Sequence, residues 1–211
     1  MSIGQIVVLV LGVLIAFGVC QRVLDQLRLT DRQALFFALI LFVGGFLPEI
    51  PAGNVRINIG GAVAPAVLCL YLVITADHAY ERLRAFAGTL VTAAAVLALG
   101  RFFPNEPEAM PFDVNYLYGL IAGVIACFVG RSRRNAFIAS SMGVLAADIA
   151  EGIVLWMNGS SQTLYLGGAG AMDVIVIAGV TAVLVRELAG EFSERCARGA
   201  EREGAHGGKA K

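Results

Sequence analysis

Residues 165–186 read YLGGAGAMDVIVIAGVTAVLVR, and they point to the bilayer as the solvent of this chain. From Leu166 to Arg186 the run is almost wholly apolar. Its length matches the roughly 20 residues that a helix rising 1.5 Å per residue needs to cross about 30 Å of hydrocarbon. A carboxylate, Asp173, follows the glycine-rich lead-in of this run. Setting an acid into a span costs about 2.5–3.5 kcal/mol on insertion scales, so such residues usually face the bundle and often serve a function.

Six more apolar runs occur: Ile3–Cys20, Ala34–Leu47, Gly60–Ala76, Ala85–Phe103, Val114–Gly130 and Ala136–Met157. The first lacks the basic start and small-residue cleavage site of a secretory signal, so it is expected to remain as a span. The second ends at Gly44, Gly45 and Pro48, which suggests a broken or tilted helix end. With 58% hydrophobic and 15% charged residues and a mean hydropathy of +0.76, the chain is too apolar for an ordinary soluble domain. The expected fold is therefore an all-α polytopic membrane protein of about seven transmembrane helices over residues 1–186. A cytoplasmic tail, 187–211, should be helical to about Arg198 and disordered beyond it.

Basic residues divide unevenly between the two sides of these runs. Those after the first, third, fifth and seventh runs, with the tail, hold fourteen of the sixteen Lys and Arg, whereas the other side holds Arg56 and Arg101. The positive-inside bias then places the N-terminus outside and the C-terminus in the cytoplasm. Aromatic residues such as Phe102, Tyr116, Tyr118, Trp156 and Tyr165 suit an interfacial belt. None of the four cysteines falls in an outer connection, and none has a paired spacing that suits a soft metal.

Residues 55–62, VRINIGGA, are echoed 107 positions later by residues 162–169, QTLYLGGA. Both stretches feed a run that travels outside to inside, so a parallel internal repeat is expected. Before the glycines each alternates apolar and polar side chains, the period of an extended segment. Unpaired extended backbone at membrane depth is costly, so the two should pair as a small two-stranded outer-side ribbon. Asn58, Gly60, Gly61, Gly167, Gly168 and Gly170 would then support a site by letting backbone approach closely. Ordinary small-residue helix packing explains the glycines equally well.

Three acids lie well inside a run: Asp148, Glu151 and Asp173. The last two runs form an antiparallel pair around the connection Asn158–Tyr165. Asp148 and Asp173 stand equally far in sequence from a point near position 160.5, close to the middle of that connection, so they should lie at similar depth. Glu151, three residues after Asp148, shares nearly the same helical face and extends it outward. Three readings follow. The pair Asp148/Asp173 is an aspartyl dyad that shares a proton and activates water; or the acids carry a proton or cation through a transporter; or they tie helices together as a scaffold. Equal depth ranks the dyad slightly first. No cofactor, metal or nucleic-acid partner is expected, because the chain has no GK[ST] loop and no HExxH. The remaining partners are the lipid bilayer and either a membrane-embedded peptide or a small ion. Oligomeric state is left open.

The strings INIGGAVAP (57–65) and GGAGAMD (167–173) resemble an uncharacterised family of bacterial and archaeal membrane proteins, domain of unknown function 1614. That resemblance covers the second run through the seventh and implies the cytoplasmic (inner) membrane of a prokaryote. A more distant resemblance is to the Gly-x-Gly-Asp intramembrane aspartyl proteases of the presenilin and signal-peptide-peptidase type. It implies a catalytic aspartate on each of two neighbouring antiparallel spans, the roles Asp148 and Asp173 would take. Gly168, Ala169 and Gly170 match the glycine part. Position 171 is Ala rather than Asp, Ala147 stands where a Tyr usually precedes the first aspartate, and no Pro-Ala-Leu follows Asp173.

Overall fold

Each of the seven apolar runs contains a helix in the computed structural model, which describes residues 2–102, 114–159, 161–168 and 171–207. The helices are α1 (Ile3–Ala16), α2 (Gln21–Leu27), α3 (Asp31–Gly44), α4 (Ala64–Ile74), α5 (Ala79–Phe102), α6 (Val114–Gly130), α7 (Arg133–Met157) and α8 (Ala171–Gly207). Three short strands, β1 (Ile50–Ala52), β2 (Val55–Ile57) and β3 (Leu164–Leu166), join them.

Local chemistry sets the helix starts. Ser2 and Gln5 form a reciprocal capping box on α1, and Thr30 and Gln33 do the same on α3. Ser132 caps α7 by accepting from the Asn135 amide at 3.1 Å. Each such cap contributes about 1 kcal/mol. A π-helical turn, Ile59–Val63, precedes α4, and Asn58 caps it by accepting from the Gly61 amide at 2.9 Å.

The expectation of seven spans is narrowed by helix lengths. Among the described residues two helices, α5 and α7, are long and apolar enough to cross a membrane, and the pair α1 and α2 makes a third if it counts as one span. That pair bends by 100° at a turn containing Gly18, whose φ of +73° suits glycine. The run expected to reach Cys20 therefore stops as a helix at Ala16. With 14 residues, α3 rises only about 21 Å. In the tail, α8 is described to Gly207, beyond the end expected near Arg198.

Helices α5–α8 pack on one another, with α4 against α7 and with α1 between α3 and α8. Small residues permit the close crossings. A Cβ added at Gly143 would stand 2.6 Å from the Thr92 Cβ, and one at Gly123 would stand 2.6 Å from that of Thr181. Helices in lipid associate through this kind of close packing. Leu72 and Val144 are fully buried in two of the resulting apolar clusters.

The ribbon has three strands rather than the expected two, in the order β1-β2-β3. The extra strand, β1, pairs antiparallel with β2 around Gly53 and contains Pro51. Three residues interrupted by a proline leave no alternation to read. The two echoed stretches pair in parallel, with Ile57 opposite Leu166. Glycines make this approach possible, since a Cβ at Gly61 would fall 1.9 Å from the Gly167 carbonyl oxygen.

At the other end of the bundle, charged groups tie elements together. Arg22 meets Glu187 at 3.4 Å and Glu191 at 3.3 Å, Arg133 also pairs with Glu187, and Arg28 pairs with Asp77. Arg134, nearly fully buried, donates to the Leu72 carbonyl and the Thr75 hydroxyl at the C-terminus of α4. A cation there also opposes the helix dipole. Beside Arg28, the Asp77 carboxyl is held below its ordinary value by their hydrogen bond.

Candidate functional site

Asp148 and Glu151 stand one turn apart on α7, at the edge of a cavity of about 450 Å³. Three elements besides α7 supply the polar part of its wall: α5 with Arg101, α6 with Asn115 and Tyr118, and β3 with Tyr165. The Asp148 Oδ2 atom is buried and takes no hydrogen bond from the described residues. Glu151 is exposed and is its Coulombic neighbour. The pair thus sets a shielded carboxylate oxygen one helical turn from an exposed acid.

β3 is brought to the cavity by α7 and β2 together. Gly152 leaves room for Leu164, whose Cδ2 would lie 2.6 Å from an added Cβ. The Trp156 indole donates to the Gln162 carbonyl at 3.1 Å. Across the parallel ladder the Arg56 guanidinium sits over the Tyr165 ring, 5.9 Å from its centre, in the register position opposite it. The outer edge of β3 carries no further strand among the described residues.

Asp173 has different company. Its Oδ1 accepts from the Gly4 amide at 3.0 Å in a buried contact, and the residue is 6% exposed. Gly4 lies in the first turn of α1, where free amides and the helix dipole favour an anion. A Cβ on residue 4 would stand 2.6 Å from that oxygen, so glycine is what admits the carboxylate. The next residue, Val174, lines the Asp148 cavity. One residue is about 100° of helical rotation, enough to turn Asp173 away towards α1. The two aspartates share no hydrogen bond among the described residues.

The supporting residues read from sequence serve mainly as backbone joints. Asn58 is buried, accepts from Gly61 and donates its own amide to the Leu166 carbonyl at 2.9 Å. A Cβ at Gly60 would fall 2.3 Å from the Gly45 amide nitrogen, so Gly60, Gly61 and Gly167 join backbone to backbone. Gly168 lines the cavity and an added Cβ there would meet Glu49 Oε1 at 2.3 Å. Gly170 lies outside the described residues.

Among the cavity residues, Arg101, Asn115, Tyr118, Leu164 and Tyr165 were not legible as site residues. A signal existed for two of them, because Asn115 and Tyr118 stand three apart in an otherwise apolar run and so share a face. The partnership of Gly4 with Asp173 left no sequence signal. Among the described residues no group of three His, Cys, Asp or Glu side chains stands close enough to hold a metal ion.

A family model described as "Protein of unknown function (DUF1614)" matches residues 7–185. No curated protein and no solved structure matches the chain.

Proposed function

The chain belongs to the DUF1614 family of unknown function, and we propose that it is a polytopic membrane protein that binds a proton or small cation at Asp148 and Glu151 and passes it across the bilayer. The observation that carries this reading is the buried Asp148 Oδ2, unbonded among the described residues, on a side chain that lines a cavity shared with exposed Glu151. A carboxylate without a partner in apolar surroundings is relieved by taking up a proton or by holding a cation. Tyr118 and Asn115 offer oxygen atoms on the facing helix.

In this reading the seven apolar helices all lie within the membrane, the shorter ones completed by the ribbon or by turns. The ribbon end with Arg56 and Arg101 faces outward, and the Arg-rich end with the C-terminus faces the cytoplasm of a bacterial or archaeal cell. The cavity is then the outer half of the path.

Intramembrane proteolysis stands second. It draws support from the outer edge of β3, where an extended peptide finds a strand to pair with, beside the Asp148 cavity. It requires Asp173 to leave the Gly4 amide and turn towards Asp148.

The test is purified protein in liposomes carrying an internal pH-sensitive dye, under an imposed proton or sodium gradient. Wild type should dissipate the gradient, Asp148→Asn should not, and Asp173→Asn should retain flux because an amide oxygen still accepts from Gly4. Flux unchanged in Asp148→Asn would remove the transport reading. Cleavage of a membrane-embedded peptide, lost equally in both variants, would put proteolysis first.

A further inference from the structure

A second cavity, of about 190 Å³, lies among α1, α2, α3, α4, α7 and α8. Its walls are hydrocarbon almost throughout, with Ile15, Leu24, Leu27, Leu72 and Val183 among them. A hollow of about 150 Å³ lined by Leu, Ile and Phe stays dry and accepts apolar guests, so water is a poor occupant here. Lining atoms that face such a hollow lack dispersion partners until an apolar guest enters.

The cavity opens on the flank of the bundle. Leu184 belongs to its lining yet is 55% exposed on α8. Leu188 and Phe192 follow at intervals of four, exposed by 65% and 73%, and this spacing continues one apolar stripe along the helix. Phe17 and Val19, on the bend between α1 and α2, are also strongly exposed. An apolar track thus leads along α8 to a dry opening.

We propose that this cavity holds one acyl chain of a bilayer phospholipid, which inserts beside Leu184, next to the charged layer of Arg22, Glu187 and Glu191. The occupant follows from chemistry. A peptide would bring backbone amides and carbonyls into walls that cannot satisfy them. A second copy of the chain would cover the stripe but leave the hollow behind it unfilled. An acyl chain entering beside Leu184 fills it, and it is the abundant apolar molecule around a chain embedded in lipid.

The test uses the full chain in phosphatidylcholine nanodiscs doped with a phosphatidylcholine that carries a diazirine midway along one acyl chain. After photolysis, the adducts are mapped by mass spectrometry. Adducts are expected on Leu24, Leu27 and Leu72, which are at most 7% exposed and out of reach of a lipid that stays outside. Filling the cavity with Val183→Trp or Ala34→Phe should abolish these adducts and spare those on Phe86, which is exposed on α5. Adducts confined to exposed residues overturn the proposal, as do buried adducts that persist in both filled variants. The wild-type map decides even where a filled variant fails to fold.

Discussion

Gly4 and Asp173, 169 residues apart, are joined by a buried hydrogen bond of 3.0 Å from the Gly4 amide to Asp173 Oδ1. The bond fastens the start of α1 to the start of α8 and gives an acid inside an apolar run a structural partner. Hydrogen bonds to charged groups contribute about 1.5–3 kcal/mol. Gly4→Ala, whose methyl would stand 2.6 Å from that oxygen, should therefore destabilise the protein by about 1–3 kcal/mol. Asp173→Leu should do the same and Asp173→Asn should cost less. Thermal unfolding in detergent checks this, and a neutral Gly4→Ala would mean that the bond holds nothing together.

Asp148 should show the opposite balance. Its Oδ2 is buried without a hydrogen-bond partner among the described residues, and an unsatisfied buried polar group costs about 1–3 kcal/mol. Asp148→Leu should raise the unfolding temperature while abolishing flux in liposomes. A variant that loses stability along with flux would point to a structural carboxylate instead.

Two glycines of the ribbon end should differ sharply in their tolerance. At Gly61 an added Cβ falls 1.9 Å from a backbone oxygen, whereas at Gly53 nothing lies within 4 Å. Gly53 does have a φ of +63°, so alanine there costs roughly 1–2 kcal/mol through backbone strain alone. Gly61→Ala should prevent recovery of folded protein, and Gly53→Ala should yield a folded protein of slightly lower melting temperature. Equal yields of folded protein from the two would contradict the backbone crossing at Gly61 and Gly167.

Acid should remove the contribution of the Arg28–Asp77 pair. Their hydrogen bond, and then their Coulombic attraction, hold the Asp77 carboxyl below its ordinary 3.8. The unfolded chain therefore binds more protons than the folded one between the two pKa values. The stabilisation is fully present above the unfolded value and is lost as pH falls through the lowered folded value. Both side chains are about half exposed, so added salt should weaken the pair as well. Comparing wild type with Asp77→Asn from pH 7 to pH 2 should show a stability difference that is constant near neutrality and vanishes in acid. A difference that grows on acidification would reverse the assignment.

Much of the secondary structure was legible because hydrophobic run length is local. The pairs Ser2 with Gln5 and Thr30 with Gln33, which cap α1 and α3, are a further local signal that run length alone does not use. The alternation in VRINI and QTLYL marked two strands that pair with each other. What misled was also local. Apolarity continues through Phe17 and Val19, so the run hides the bend at Gly18. β1 was missed because Pro51 and a length of three residues leave no pattern.

Residue order alone was enough to establish that the chain is helical, apolar and suited to lipid, that its basic residues gather towards one end, and that Asp148, Glu151 and Asp173 lie inside apolar helices. These properties depend on composition and the fixed rise of a helix, so they need no partner. What each acid faces had to come from the packed bundle. Rise along an axis places two residues at one depth, but rotation about that axis is set by packing of side chains from other helices. That rotation turns Val174 to the Asp148 cavity and Asp173 to Gly4.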